Sequence, residues 1–301
     1  MATPQEPRNH HFAPQFYLRN FSSDAARKKV HSLAKYGDRA IWQERSIEYI
    51  GNEEDLYSST VEGVHFSVED EINRHIENPI TQSSTWDKIS KNQAEDLGPD
   101  DGSTIFTLIR HLERRTPHAL QTMLELIDMA EQHPERFDSE ELEMYAALRD
   151  PDYRALFQAR MSATLGGLAE HHERVQLLIC RSKVPLWTST TPVMSIGVPG
   201  APELHLPVPG QPPYASALTL NRFSFAVLAL ANFGQATLSN VEITDDHALG
   251  YNRFRLGQFG HFRKVDHLIC DREGLEEHMA WAGYRAEKSS DKKIVFVRTK
   301  S

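Results

Sequence analysis

The stretch HHFAPQFYLRNF, residues 10–21, carries the strongest pattern in the sequence. Pro14 suits the first turn of a short helix, where its missing amide donor costs nothing. Phe16, Tyr17 and Phe21 then recur at nearly helical spacing and form an apolar cluster. Burying one such side chain stabilises a fold by roughly 1.5–3 kcal/mol. We therefore predict that this stretch docks onto the central helices of the protein.

The rest of the chain predicts helices in the middle and strands towards both ends. Asn78-Pro79 is expected to end the first helix, and Thr116-Pro117 to bend or restart the third. Helices are expected over residues 67–77, 84–97, 103–132, 139–148, 152–179, 244–259 and 274–283. Strands are expected over residues 30–33, 40–43, 184–188, 216–220, 223–230, 265–270 and 293–298. This order indicates an α+β fold, in which a central helical region is flanked by strands from the N- and C-terminal parts that share a small mixed or antiparallel sheet.

The domain organisation follows from polar and proline-rich stretches. Residues 1–9 are polar, contain two prolines and are expected to form a flexible leader. Residues 10–301 are expected to form a single globular domain, with a subdivision near residue 183 into helical and strand-rich parts as the alternative. Residues 197–213 hold six prolines and are expected to form a surface loop.

The composition narrows the class of protein. With 301 residues, 40% of them hydrophobic and 25% charged, the chain can bury a core of its own. The net charge of −9 argues against a broad basic surface for duplex nucleic acid. Cys180 and Cys270 are expected to be buried thiols and not a disulfide. No leader for secretion and no apolar run long enough for a bilayer are seen, so a cytoplasmic protein without membrane contact is expected.

The adjacent histidines His10 and His11 are the candidate catalytic residues. Neighbouring side chains on an extended chain point to opposite faces, so only one of them is expected to face a given pocket. An imidazole titrates near neutrality and can act as an acid/base group or bind a metal. The alternative is a buried histidine that holds the amino terminus by hydrogen bonds. Arg19, on the same element, is a candidate partner for a phosphate or carboxylate.

A basic cluster lies late in the third expected helix. Arg110 and Arg114 share one face of that helix, and His111 and Arg115 share the neighbouring face. Either the cluster binds an anion such as phosphate, or it is a solvated surface with Arg115 in a structural ion pair. The bend at Thr116-Pro117 is expected to turn Arg115 inward, where it needs an anionic partner. Arg110 and Arg114 are expected to stay solvated.

Two further patterns bear on chemistry. The run Thr188-Ser189-Thr190-Thr191 places four hydroxyls at the end of an expected strand, where they form either an anion-binding turn or a structural turn before Pro192. His171-His172 lacks the spacing of a zinc-binding helix and is expected to be a solvated stripe. C-x-x-C, phosphate-loop, dinucleotide-binding and serine-elbow motifs are absent. The sequence therefore leaves metal and cofactor unassigned.

The opening motif, H-H-F-x-P-x-x-Y-L-R-x-F, resembles the start of the bacterial family known as domain of unknown function 4238. Further similar features occur in order at Tyr57, at Arg115-Thr116-Pro117 and at 188–193, so the resemblance covers roughly residues 10–265. No activity is established for the family, and a link to phage defence is only a hint. The family often has an acid and an amide before the proline of the last feature. Thr190 and Thr191 stand there in this chain, which puts in doubt any ancestral activity that used those groups.

Two functional hypotheses follow. The first is an enzyme acting on a phosphate-containing substrate, a nucleotide or a nucleic-acid end, with His10 or His11 as acid/base group. Its substrate-binding residues would be Tyr17, Arg19, Arg115, Thr188 and Ser189. The second is a non-catalytic sensor or protein-interaction module, in which the opening motif is structural and the proline-rich loop contacts a partner. Convergence of the motif's histidine and arginine with Arg115 favours the enzyme, whereas saturation by internal hydrogen bonds favours the module.

Overall fold

The computed structural model describes residues 9–54, 58–61, 64–67, 69–150, 153, 175–196, 215–230, 237–259 and 266–299. The expected leader, apart from Asn9, and the expected loop at 197–213 lie outside these residues. So does most of the helix expected over residues 152–179.

The larger sheet combines strands from both ends of the chain. Its six strands, in order across the sheet, are β14 (Tyr284–Ser289), β15 (Lys293–Arg298), β3 (Arg39–Ser46), β2 (Lys29–Tyr36), β13 (His267–Ile269) and β8 (Thr188–Ser189). Every neighbouring pair is antiparallel. Gly37 connects β2 to β3 with a φ of 60°, a left-handed conformation that favours glycine. Of the strand expected over residues 184–188, only Thr188 is in a strand.

The second sheet has five strands. In order they are β12 (Thr237–Glu242), β7 (Val175–Arg181), β11 (Ser224–Leu230), β10 (Ala215–Asn221) and β9 (Val193–Ile196). β12 and β7 are parallel, and the other pairs are antiparallel. The expectation that a helix reaches residue 179 is therefore wrong. Leu178 is exposed between the buried Leu177 and Ile179, so an apolar residue on the outer face hides the period of two that marks a strand.

Two two-stranded sheets complete the described strands. They pair β1 (Asn9–His11) with β4 (Asn52–Glu54), and β5 (Ser58–Val61) with β6 (Val64–Ser67). The α+β class is confirmed, but the described strands form two large sheets in place of one small sheet. The β1–β4 pairing matters for the candidate site, because it fixes the two adjacent histidines of the opening motif.

Along the chain, most of the described α-helices fall between β6 and β7. They are α1 (Gln15–Leu18), α2 (Glu69–Ile72), α3 (Asn78–Thr81), α4 (Ser84–Ser90), α5 (Gly102–Arg114), α6 (Pro117–Gln132), α7 (Ser139–Ala147), α8 (Asp245–Gln258) and α9 (Leu275–Trp281). The expected end of α4 at residue 97 is wrong, because Asn92 adopts a left-handed φ of 58° and ends the helical run. The restart at Pro117 is found, with the Thr116 hydroxyl accepting a hydrogen bond from the Ala119 amide.

The expected stop at Asn78-Pro79 is also wrong. A π-helical turn, Asn73–Glu77, joins α2 to α3, and the helical run continues through Pro79. A π turn shifts the backbone hydrogen-bond register by one residue, which accommodates the amide donor that Pro79 lacks. Such turns occur frequently at functional sites. Glu77, the last residue of the turn, is central to the site described below.

The opening stretch lies in the largest hydrophobic cluster. Phe12, Tyr17 and Leu18 are fully buried there, together with Leu108 and Leu112 of α5. The predicted docking onto the central helices is therefore confirmed. The same cluster takes residues from the second sheet, so the opening stretch and α5 share the core with β7, β10 and β11.

Two expectations from composition can be compared with this fold. Cys180 and Cys270 are both buried and free, as expected. Among the described residues, none of the helices combines the length and apolar character needed to cross a membrane.

Candidate functional site: a buried cluster of histidine, glutamate and arginine

The two histidines of the opening motif take different positions on β1. His10 is 1% exposed and lies opposite Glu53 of β4 in the strand register. His11 is half-buried and lies opposite Asn52. Successive residues of a strand face opposite sides, so the two imidazoles serve different environments. The charges of Arg115, Glu69 and Glu77 act on His11.

Arg115 follows the last residue of α5 and is the centre of that cluster. Its side chain is 2% exposed. One guanidinium nitrogen, Nη2, lies 2.5 Å from Glu69 Oε1, and the other, Nη1, donates to Glu77 Oε1. Arg115 is therefore turned inward, and its partners are internal carboxylates. This is the structural ion pair that the sequence left as the alternative to anion binding.

His111 shares a carboxylate with Arg115. Its Nε2–H donates to Glu77 Oε1 over 3.2 Å. Burial lowers the pKa of His111, and the Arg115 guanidinium lowers it further, against the opposing effects of Glu77 and Glu69. Burial alone would raise the pKa of Glu77, but Arg115 and the hydrogen bond from His111 outweigh it and lower the pKa. Glu77 is therefore an ionised buried carboxylate beside a neutral imidazole.

His11 joins the cluster from β1. Its Nε2 lies 3.2 Å from the Glu48 carbonyl oxygen and 3.3 Å from Nε2 of the Gln15 amide. When protonated, this nitrogen donates to the carbonyl, and when unprotonated it accepts from the Gln15 amide. Nε2 therefore has a partner whether or not it carries the ring hydrogen. Burial, with Arg115, lowers the pKa of His11, while Glu48, Glu69 and Glu77 oppose the change.

The charges of the cluster decide what it can bind. In the ion pairs described, Glu69 and Glu77 both contact the Arg115 guanidinium, so the charge of this guanidinium is already balanced by carboxylates and not open to a phosphate. Within the described ranges, no three histidine, cysteine, aspartate or glutamate side chains are grouped so as to hold a metal ion. A neutral imidazole beside oriented carboxylates is instead suited to proton transfer.

Arg19 lies at the exposed end of the opening motif. Its Nη2 donates to Gln15 Oε1 over 3.4 Å, and Gln15 in turn contacts His11. No carboxylate within the described part of the chain lies at ion-pair distance from the Arg19 guanidinium. His11, Gln15 and Arg19 therefore form a line from the half-buried cluster to an exposed cation.

The other predicted binding residues belong to a separate, fully buried network. The Tyr17 hydroxyl lies 2.6 Å from Thr188 Oγ1 and donates to the Thr219 carbonyl over 2.8 Å. Burial raises the pKa of this phenol. Ser189 Oγ donates to the Thr191 carbonyl over 2.6 Å. These hydroxyls have internal partners and contact neither His11 nor Arg115 in the described hydrogen bonds.

The same turn is held by a residue that the sequence gave no reason to select. Arg255 of α8 is fully buried and donates to the carbonyls of Thr191 and Pro192. Thr190 accepts a hydrogen bond from the His267 amide through Oγ1, and its own amide donates to the His267 carbonyl. Thr190 and Thr191 therefore take part in a structural turn.

Two arginines differ from the expectation that they stay solvated. Arg110 is 5% exposed and is paired with Glu113 at 2.5 Å. Burial and the nearby Arg110 lower the pKa of Arg114 to about 10. Both side chains lie against the protein because α5 packs on the second sheet; Glu113, for example, accepts a hydrogen bond from Ser216 of β10. The sequence did not reveal this second packing face.

Glu69 and Glu77 were missed as site residues, although their helix was expected. Glu77 lies 34 residues before His111, and Glu69 lies 46 residues before Arg115. Pairs so far apart leave no spacing signature in one sequence. A local spacing was present only for Gln15, which lies four residues after His11 and four before Arg19 and contacts both.

The chain belongs to the family described as protein of unknown function, DUF4238, which matches residues 9–215. The match covers more than half of the chain and contains His11, Glu69, Glu77, His111 and Arg115. The match ends at residue 215, whereas the resemblance seen in the sequence was expected to extend to about residue 265. No curated protein and no solved structure matches the chain.

Proposed function

We propose that the protein is an enzyme that acts on a phosphate-containing substrate, with His11 as general base. The observation that carries the proposal is the environment of His11 Nε2, which lies at hydrogen-bond distance from the Glu48 carbonyl oxygen. With Nε2–H donated to that carbonyl, Nδ1 is the basic nitrogen of the ring. The lowered pKa leaves the imidazole neutral at pH 7, so that Nδ1 can accept the proton of an attacking water. Arg19, at the exposed end of the line, supplies the cation for the phosphate.

Glu69, Glu77, His111 and Arg115 have a supporting role in this proposal. Arg115 holds the two carboxylates in place, and their negative charges raise the pKa of His11. Without them, burial would lower the pKa of His11 further and weaken the base. Arg115 is thus a positioning residue, and the phosphate-binding role considered for it from the sequence passes to Arg19.

The test measures release of the leaving group from a panel of phosphate monoesters, phosphate diesters and end-phosphorylated oligonucleotides. His11→Gln should lower kcat at least about a hundredfold, the usual size of an acid/base contribution. His133→Gln, at a half-exposed histidine after α6, is the matched control and should leave kcat unchanged. Arg19→Ala should mainly raise KM, since Arg19 is assigned to binding.

The pH profile gives a second readout. Because the pKa of His11 is lowered from 6.5, the base is neutral at pH 7 and becomes protonated only below pH 6.5. The rate should therefore be constant near neutrality and fall as pH drops below 6.5. A rate that rises on acidification, or a His11→Gln variant as active as the wild type, would rule out the general-base role.

A sensor or interaction module is the second candidate. It is favoured by the Tyr17, Thr188 and Ser189 hydroxyls, whose hydrogen bonds all stay inside the protein. If no substrate in the panel is turned over, and Arg19→Ala changes neither binding nor stability, the module becomes the better proposal.

A further inference from the structure

A crevice of about 250 Å³ opens at one end of the second sheet, where β7 and β12 both stop. Arg181, the last residue of β7, and Glu242, the last residue of β12, are partners in the parallel register, and both line the crevice. Its other walls include Glu95, which lies in a short helical turn after α4, and Phe223, which lies in the turn between β10 and β11. These residues differ from those of the His11 cluster, so the crevice is a separate site.

The Arg181 guanidinium is oriented by a hydrogen bond that leaves its two terminal nitrogens open. Its Nε donates to Asn240 Oδ1 over 2.7 Å, and the Asn240 amide donates in turn to the Ala94 carbonyl over 2.6 Å. Within the described residues, Nη1 and Nη2 of Arg181 make no hydrogen bond. These two nitrogens form a fork that matches the two oxygens of a carboxylate. The half-buried Arg181 is therefore positioned to bind a carboxylate in the crevice.

The charges that line the crevice are divided into a positive side and a negative side. Lys183 Nζ lies 2.8 Å from Glu242 Oε1, and the charge of Arg181 also acts on Glu242. Two cations thus face one carboxylate, so this side has a surplus of positive charge. Glu95 is exposed, and its carboxylate makes no hydrogen bond or ion pair in the described part of the chain. Because Glu95 follows the residue whose carbonyl binds Asn240, a single amide side chain links the two sides.

Phe223 adds an apolar surface to this polar crevice. It is 36% exposed, although phenylalanine is among the residues that are most often buried. Its backbone is held on both sides, because its amide donates to Asn221 Oδ1 over 2.9 Å and its carbonyl accepts from the Ser182 amide over 2.8 Å. The ring is therefore presented on a well-held turn, where it can pack against an apolar group of a ligand.

The size of the crevice limits the ligand. Its volume lies below the roughly 300–1,000 Å³ of pockets for drug-sized ligands, so a ligand of one small unit fits better than a nucleotide. Arg181 and Lys183 are balanced in number by Glu95 and Glu242 across the lining. A small ligand that carries both charges matches this balance better than an anion or a cation alone.

We propose that this crevice binds a free α-amino acid with an apolar side chain. The carboxylate of the amino acid binds the Arg181 fork, its ammonium group pairs with Glu95, and its side chain packs on the Phe223 ring. This inference goes beyond the proposed function and does not depend on it, because it uses neither His11 nor a phosphate.

The experiment is calorimetric titration with L-phenylalanine and with three analogues that each lack one group. Phenylpropionate lacks the ammonium group and should bind about threefold more weakly, since an exposed ion pair contributes little. Phenethylamine lacks the carboxylate and should bind at least about tenfold more weakly, because it forms no charge-assisted hydrogen bonds with Arg181. Glycine lacks the ring and should also bind more weakly than L-phenylalanine.

Variants of the protein test the same contacts from the other side. Glu95→Gln keeps the shape of the side chain and removes its charge, so it should weaken L-phenylalanine about threefold and leave phenylpropionate unchanged. Glu135→Gln is the matched control, because Glu135 is also an exposed glutamate in the first turn of a short helical segment, and it should change neither. Arg181→Gln should weaken both carboxylates at least about tenfold. Arg181→Lys, which keeps the charge and removes the fork, is the second variant in case Arg181→Gln does not fold.

Unfolding midpoints are recorded for all the variants, so that a loss of binding is compared only between folded proteins. Binding of L-phenylalanine that is weakened by the Arg181 variant, and by Glu95→Gln without a change for phenylpropionate, supports the site. The proposal is overturned if L-phenylalanine does not bind, or if any of the three analogues binds as tightly as L-phenylalanine. It is also overturned if Glu135→Gln weakens binding as much as Glu95→Gln, because the effect would then come from the net charge of the protein.

Discussion

Glu77 shows how a single residue links stability to the candidate chemistry. Its carboxylate accepts hydrogen bonds from both Arg115 and His111, and its pKa is lowered although it is buried. A buried ion pair is not in itself a strong stabiliser, because desolvation offsets the attraction. Removing one partner is costly, however, because it leaves a buried charge without compensation.

Arg115→Ala should therefore destabilise the protein by about 3–5 kcal/mol. The loss exposes Glu69 and Glu77 to each other's charge in a site where water has little access. Urea denaturation followed by circular dichroism measures the effect. Arg149→Ala removes an exposed ion pair with Glu131 and should cost no more than about 1 kcal/mol. An Arg115→Ala protein as stable as the Arg149→Ala control would show that the guanidinium does not hold the cluster together.

At the level of elements, local signals predicted well and long-range pairing did not. The restart of α6 at Thr116-Pro117 was found because the cap and the proline are adjacent in sequence. The continuation of the helical run through Pro79 was not predicted, because the π turn that accommodates the proline has no residue signature of its own. β7 was taken for a helix because its neighbours, β11 and β12, determine its strand character from more than 40 residues away.

Gly51, in the turn before β4, packs closely against two distant segments of the chain, and a substitution there can test this packing. Gly51 has a φ of 66°, and a Cβ there would lie 2.6 Å from Ala13 Cβ and 3.2 Å from Thr190 Cγ2. Gly51→Ala should therefore cost more than the roughly 1 kcal/mol expected from backbone strain alone. Gly37→Ala is the matched control, because Gly37 has a similar φ of 60° with open space around it.

Both glycine variants are compared by urea denaturation. Because Ala13 belongs to the opening motif and Thr190 to the hydroxyl-rich turn, a larger loss at Gly51 than at Gly37 reports how closely both segments pack against the Gly51 turn. Equal losses would mean that the backbone conformation accounts for the whole effect and that the close contact relaxes without cost.

At the scale of the whole molecule, the sequence identified the α+β class and the family but not the site as assembled. His11 and Arg115 were selected because histidine and arginine carry recognisable chemistry. Tyr17 and Thr188 were grouped with them, yet they form a separate buried network. His11 and Tyr17 lie on β1 and α1, and which of them meets Arg115 and which meets Thr188 depends on how these elements pack against distant parts of the chain, which one sequence does not specify.

The opening motif also carries the last prediction, which concerns the fold as a whole. Phe12, Tyr17 and Leu18 are fully buried in the cluster that contains α5 and the second sheet. Burial of side chains of this size stabilises a fold by roughly 1.5–3 kcal/mol each, which together approaches the 5–15 kcal/mol by which typical domains are stable. Deleting residues 1–22 should therefore abolish cooperative folding and yield insoluble or non-native protein.

Solubility, circular dichroism and thermal unfolding measure the result. Deleting residues 1–8 is the control, because it leaves β1 and all the described contacts of the motif in place. The shorter deletion should unfold at the wild-type temperature. A soluble 23–301 protein with an unchanged unfolding temperature would mean that the core closes without the motif. In that case the motif does not stabilise the fold, and the truncated protein would be folded but would lack His11.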